Sequence, residues 1–442
     1  MTRRIRVSRW WLVAIAAVGI GMAGTYQFVW SSIRAPLGAR IGASETALGT
    51  VFTLFVIFQA SSQFPAGWIR DRVGPRVPLA GGTLLLVAGY VGTAWAPDAT
   101  AVSLWYVLGG IGAGTVYTVA ISTPAKWFDD RRGLATGLVG FAYAGVSFLL
   151  VPLVRGRITA DFVGTMLGLA ALVGVATLVG IPFFRDPSGR TDASPEFDPN
   201  PDSGSHPDTD TGDDPRVRDV EPEPGDAPAS SGARIEYTWR EAVRTWQFWL
   251  LYGIFVVVNG VGLMIVGKSV AFAEATQLPA AAAVRGVVFG FAAATGAASL
   301  VALGDSAGVI VGGVVSDRFG REPTIALSLV ACSGCLGGAS LAAVNGGAVA
   351  YVGLIAAASF FRSPVFSVIP SLVGDYYGTS HNSENYALLY SSKLWGGVVG
   401  GTVTSVLIVR LGWHPTFLLG AGLLLVAAAA TAFLRPVEPS PQ

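Results

Sequence analysis

Lys393, Arg362 and Asp305 are the residues of this chain best placed to do chemistry, because each falls inside an apolar run long enough to cross a bilayer. A charge at that depth is expensive, and it persists only where it faces a partner or a wet cavity. Depth follows from a helical rise of ~1.5 Å per residue. Asp305 stands twelve residues before Asp317, and therefore ~18 Å from that helix end. Arg362 stands thirteen before Asp375, ~20 Å, and Lys393 nine after Glu384, ~14 Å. In a hydrocarbon core of about 30 Å all three lie near the middle. The chain spends lysine sparingly: only Lys126, Lys268 and Lys393 occur among its 29 basic residues. An arginine can grip a carboxylate through two parallel bonds, and a lysine acts as a point charge. Arg362 and Lys393 together therefore suit a small carboxylate anion. Three roles stay open for Asp305: neutralising one cation of an empty site, taking up a proton, or locking two helices in a static ion pair.

Aromatic side chains can complete such a cage. Tyr26 and Trp30 are four residues apart and share a helix face, as do Tyr386, Tyr390 and Lys393. Tyr117 and Tyr143 are further candidates. Their hydroxyls could bond a carboxylate oxygen; the alternative is ordinary packing or an interfacial belt. Gln59 and Gln63 fit packing and pore lining equally. Lys268 lies near one end of its apolar run and is expected to snorkel to the interface; the alternative is that it attracts anions at the outer mouth. Cys332 and Cys335, three apart within one apolar run, are expected to pack as small apolar residues. His206, His381 and His414 form no metal set, and no cofactor is expected.

The elements that must hold these residues are membrane helices. Of the 442 residues 52% are hydrophobic and only 13% charged, against about 25% charged in a soluble domain. Apolar windows predict an all-α polytopic membrane protein with twelve spans. The first six run over approximately 10–33, 46–69, 77–96, 100–124, 133–154 and 164–184, and the second six over approximately 246–270, 286–315, 323–344, 348–373, 386–409 and 413–434. With that count, 20 of the 29 basic residues fall on one side and six on the other, which predicts cytoplasmic termini. Arg3, Arg4, Arg6 and Arg9 precede a first apolar run too long for a cleaved leader. Residues 186–235 carry 13 acidic residues with much Pro, Ser and Gly, so 186–240 is expected to be a disordered acidic cytoplasmic linker. It would join a six-helix bundle at 1–185 to another at 241–442. The net charge of +1 suggests no nucleic-acid partner.

The two halves repeat a motif. Gly67 to Arg76 after the second span and Gly313 to Arg321 after the eighth both read G-x-x-x-D-R-x-G with further arginine. Gly67, Asp71 and Arg72 in one half, with Gly313, Asp317 and Arg318 in the other, put an acid and a base at a helix end beside a glycine turn. Such a motif can hold one closed state of a two-bundle protein. The pair resembles the loop signature of the major facilitator superfamily, which implies two six-helix bundles around a central cavity and alternating access. Gly24 to Ser31, Pro124 to Gly137, Gly262 to Gly267, Pro370 to Gly378 and Tyr390 to Lys393 look like the oxalate/formate antiporter family within it. That resemblance implies a carboxylate transporter with a lysine in span eleven and an arginine in span eight. Lys393 matches the lysine. The arginine does not carry over: Val309 takes its place, and Asp305 precedes it by four residues. Arg362, from span ten, is the candidate replacement.

An enzyme would need a nucleophile with its base, or a metal set, and neither stands at mid-membrane. The expectation is a monomeric plasma-membrane antiporter or proton-coupled symporter of small carboxylates. A proton-coupled monocarboxylate carrier and a non-transporting sensor on the same scaffold are the alternatives. Two free cations suit a dianion, and neutralisation of one by Asp305 suits a monoanion.

Overall fold

The computed structural model describes residues 9–125, 127, 132–185, 236–278, 293–378 and 381–437, with the side chain of Asp71 among those outside the description. The expected linker therefore lies outside the described residues, apart from its last five, as does Lys126. Among the described residues there is helix and no strand. Twelve helices are long and apolar enough to cross a membrane. In the first half they are Arg9–Phe28, Glu45–Arg70, Arg76–Trp95, Ala99–Pro124, Gly137–Arg157 and Phe162–Phe183. In the second half they are Trp246–Ala275, Ala294–Phe319, Arg321–Val344, Ala348–Tyr377, Glu384–Leu411 and Trp413–Thr431. An even number of crossings brings both chain ends to one end of the bundle, here called the terminal end, opposite the far end.

Local chemistry starts and stops these helices. Ser44 caps span 2, its Oγ accepting from Ala47 N at 3.2 Å, and Asp161 caps span 6 by accepting from Gly164 N at 2.8 Å. The repeated motif ends in a glycine in each half, and both need the left-handed region, with φ of 82° at Gly74 and 89° at Gly320. Only glycine adopts that conformation without strain, so the D-R-x-G repeat encodes two equivalent turns at the terminal end.

Packing sorts the spans into two sets. Spans 2 and 4, 3 and 4, 1 and 5, and 3 and 6 pair in the first half; spans 8 and 10, 9 and 12, 9 and 10, and 7 and 11 pair in the second. The sets meet where span 5 lies on span 8 and span 11 lies on span 2. These seams are equivalent, since span 2 corresponds to span 8 and span 5 to span 11 when the halves are exchanged. Small residues let the backbones close in. Thr53 Oγ1 donates to Gly397 O at 3.0 Å, and Thr402 N donates back to Thr53 Oγ1 at 2.9 Å.

Among the described residues three spans are broken, and the breaks fall at or beside candidate residues. Span 1 is interrupted at Val29 between helices Arg9–Phe28 and Trp30–Ile41. Span 10 breaks after Arg362, where Pro364 opens the next segment. Span 11 breaks at Ser391, two residues before Lys393, and later winds into a π turn over Val399–Val403.

Candidate functional site

The break in span 10 puts Arg362 at a helix end, beside the span 8 helix that carries Asp305. The guanidinium forms a charge-assisted bond to Asp305 Oδ1, which also accepts from Ser363 Oγ at 2.6 Å. Arg362 is 5% exposed, and its guanidinium carbon lies 4.9 Å from the centroid of the Phe366 ring. Gly262 on span 7 makes the room: a Cβ there would stand 2.6 Å from Arg362 Nε and Nη1. The anion–cation pair was legible as two charges at one depth, whereas the need for a glycine opposite them was not.

Lys393 is 6% exposed and turned inward, away from lipid. Its Nζ donates to Gln59 Oε1 at 3.1 Å, across the seam between spans 11 and 2. An ammonium can only donate, which fixes the amide orientation of Gln59. The same amide donates through Nε2 to the Tyr143 hydroxyl at 2.5 Å, and that hydroxyl donates to Gln27 Oε1 at 3.0 Å. Lys393 therefore ends a chain of neutral groups that belongs to the opposite half. Asp305 and Arg362 lie within Coulomb range of it. The Tyr390 ring is 5.8 Å from its Nζ.

The structure gathers most of the predicted aromatics here. Tyr386 and Tyr390 have ring centroids 5.7 Å apart, and Tyr117 meets Tyr143 edge-on at 5.2 Å. Tyr117, Tyr143, Tyr386 and Arg362 are all electrostatic neighbours of Tyr390. Tyr26 and Trp30 are placed elsewhere. Tyr26 donates its hydroxyl to Leu86 O at 3.1 Å and packs 4.1 Å from Tyr90, inside the first bundle. Trp30 packs against Tyr106 at 4.8 Å and stacks on Phe52 at 5.9 Å. Both are fully buried in that aromatic core, so the face they share points into the bundle.

At the far end a second set of charges ties the halves together. Glu45 at the start of span 2 accepts from Lys268 Nζ at 2.5 Å and pairs with Arg34. Lys268 also donates to Ser405 Oγ at 2.7 Å. Lys268 is 1% exposed, so the expected snorkelling does not occur; a buried ammonium with a carboxylate in reach pairs with it. Arg155 on span 5 pairs with Glu274 at 2.6 Å and donates to Thr295 at 3.0 Å, joining spans 7 and 8. The ion pairs described at the terminal end stay within one half, as Arg321 with Asp375 does. There Gly67 and Gly313 are half-buried, while Arg72, Asp317 and Arg318 are exposed. The Arg72 guanidinium lies over the Trp68 ring at 3.8 Å. Arg70, outside the predicted set, is the buried arginine of that turn, and its Nη2 reaches Thr123 Oγ1 at 3.5 Å. Cys332 is buried with its Sγ 3.1 Å from Ala358 O, as packing requires.

What this geometry offers chemically is anion binding. Two buried cations, one matched by an acid within the second half and the other meeting a neutral amide across the seam, stand among phenols that can donate. No group of three or more His, Cys, Asp or Glu placed to hold a metal occurs among the described residues.

Comparison with known proteins agrees with that frame. The oxalate:formate antiporter of Oxalobacter formigenes is 27% identical over 433 residues, covering 97% of this chain and 92% of that protein. The MFS-type transporter YhjX of Escherichia coli K12 is 25% identical over 389 residues, covering 86% and 84%. Among solved structures, the partially occluded inward open xylose transporter XylE from E. coli gives a TM-score of 0.67 at 12% identity, covering 96% of this chain and 98% of that one. That likeness speaks for the fold. The relatives are transporters, not enzymes. A family model described as Major Facilitator Superfamily matches residues 11–305 and 263–442, and with both halves so matched the chain, a multi-pass membrane protein, belongs to that superfamily.

Proposed function

We propose that the protein is a secondary active transporter that carries small carboxylate anions by alternating access of two bundles, residues 1–185 and 241–442. Residues 186–240 tether the bundles. The protein works as a monomer in the plasma membrane, with its termini in the cytoplasm. Lys393 and Arg362 bind the carboxylate, and Tyr117, Tyr143, Tyr386 and Tyr390 line the place where it sits. The observation that carries this is Lys393 itself: a cation 6% exposed, at the seam of the two halves, whose hydrogen bond goes to an uncharged amide. A buried charge so placed is costly unless an anion visits it. In the described state the far end is tied by Glu45, Lys268, Arg155 and Glu274, whereas the ion pairs described at the terminal end stay within one half. Asp71, Arg72, Asp317 and Arg318 act in the opposite state, when that end closes.

The pairing of Arg362 with Asp305 favours the monocarboxylate form of this function. Two cations and one anion leave one positive unit, which suits a monoanion. Uptake of labelled mono- and dicarboxylates into proteoliposomes is the test. Lys393→Ala and Arg362→Ala should each reduce uptake to background while the protein still inserts. If both variants transport at the wild-type rate, the cationic site is not the binding site.

A further inference from the structure

We infer that Gln59 is an internal stand-in for the substrate, holding Lys393 and tying the halves together until a carboxylate displaces it. The inference rests on the carboxylate-transport function proposed above and assigns a role to a residue on the opposite half from both cations. Gln59 Oε1 is a planar sp2 oxygen 3.1 Å from Lys393 Nζ, which is the place and geometry of a carboxylate oxygen. The rest of the amide is engaged, through Nε2 to the Tyr143 hydroxyl at 2.5 Å and onward to Gln27 at 3.0 Å. Gln59 is 1% exposed, so its oxygen sits in protein and not in a loose solvated contact. Gly114 on span 4 lets the Gln59 backbone close in, since a Cβ there would stand 2.2 Å from Gln59 O.

A neutral surrogate has a physical advantage over an acidic one. A hydrogen bond from an ammonium to an amide spares the buried charge from being orphaned, yet it is weaker than the bond to a carboxylate. A substrate carboxylate at the same distance therefore wins the exchange. When it does, the lysine–amide link from span 11 to span 2 is lost, while the bonds of Thr53 to Gly397 and Thr402 remain. Binding and loosening of the seam become one event.

The test compares Gln59→Glu and Gln59→Ala with wild type by thermal shift of purified protein. Sodium formate, acetate, oxalate and malonate serve as probes, against sodium chloride at matched ionic strength. Gln59→Glu supplies a permanent anion to Lys393 and should raise the half-saturating carboxylate concentration at least a hundredfold. Gln59→Ala removes the competitor and should leave that concentration unchanged or lower. A tenfold or greater rise in Gln59→Ala would overturn the inference, because Gln59 would then be a scaffold or a direct ligand. Normal carboxylate binding by Gln59→Glu would overturn it equally. If Gln59→Glu fails to fold, Gln59→Ala decides by the same criterion, with Gln59→Met as its shape-conserving partner. A wild-type protein that no carboxylate stabilises sinks the transport function itself, and is told apart from the other failures because it appears before any substitution.

Discussion

Replacing Glu45 by Gln should tip the protein toward a state open at the far end. Glu45 is the acid shared by Arg34 and Lys268, which are 3% and 1% exposed. Lys268 belongs to the second half and Glu45 to the first, so the pair exists only while that end is closed. Removing one partner of a buried ion pair costs about 3–5 kcal/mol, because the other charge is left in a poor medium. Glu45 is 23% exposed and partly screened, so ~2–3 kcal/mol is the fair figure here. The cost falls on the closed state alone, since water reaches both cations once the end opens. At ~1.4 kcal/mol per tenfold, the closed-to-open ratio should fall roughly thirty- to hundredfold. Thr402 reports on this seam, its hydroxyl being 3.0 Å from that of Thr53 across the two halves. Thr402→Cys, in a background with Cys332→Ala and Cys335→Ala, should react with a polar maleimide much faster when Glu45→Gln is added. An unchanged labelling rate, with the variant folded and monodisperse, would refute the claim that Glu45 closes that end.

Other consequences follow from the same contacts. Gly262→Ala forces a methyl to within 2.7 Å of Arg362 Cδ as well as its nitrogens, so Arg362 must leave Asp305 or the helices must part. Overpacking of this kind costs about 1–3 kcal/mol; a lower melting temperature and weaker carboxylate binding should be seen together, and loss of neither would show that Arg362 is free to move. Asp305→Asn adds one positive unit to the site and should shift relative uptake from monocarboxylates to dicarboxylates; a preference that does not move would remove Asp305 from the control of substrate charge. Arg155→Ala deletes the tie to Glu274 and Thr295 but leaves the buried Lys268 pair, so its effect on Thr402 labelling should be several-fold smaller than that of Glu45→Gln.

The sequence made the spans legible because membrane helices announce themselves by length and apolarity, which say nothing of the breaks inside spans 1, 10 and 11. It also carried the two glycine turns, since a D-R-x-G repeat at matching places has one economical backbone solution. The pairing of Arg362 with Asp305 could be read from depth alone, as both had to find opposite charge within the same thin slab. What depth cannot give is direction around the helix. Polar Thr25, Gln27 and Ser31 surround Tyr26 and Trp30 on span 1, so their shared face could be read, but not whether it looked into the bundle or toward the seam. Contact between halves was the other blind spot. Lys393 and Gln59 are 334 residues apart, and Lys268 and Glu45 are 223 apart. A lysine near a helix end looks the same in sequence whether it snorkels or meets a glutamate from the other half.

The two closures of the seam differ in kind, and the difference orders the cycle. At mid-membrane the link is a lysine on a neutral amide, worth about 1.5–3 kcal/mol as a hydrogen bond to a charged group. A carboxylate can replace that link with a stronger one, so the substrate itself can release it. At the far end the link is ionic and buried, and a carboxylate held near Lys393 does not touch it. Glu45 stands fourteen residues from Gln59 on one helix, ~21 Å away. Movement of span 2 as a rigid body would carry Glu45 off Lys268 once Gln59 has let go of Lys393. Of the two partners of span 2, Lys393 lies on interrupted span 11, whereas Lys268 lies on span 7, a single helix Trp246–Ala275. Span 2 is a continuous helix from Glu45 through Gln59 to the D-R-x-G turn, despite Pro65 within it. A continuous helix transmits displacement along its length, whereas an interrupted one absorbs it, so under the proposed function an effect at Gln59 would reach the far end through span 2.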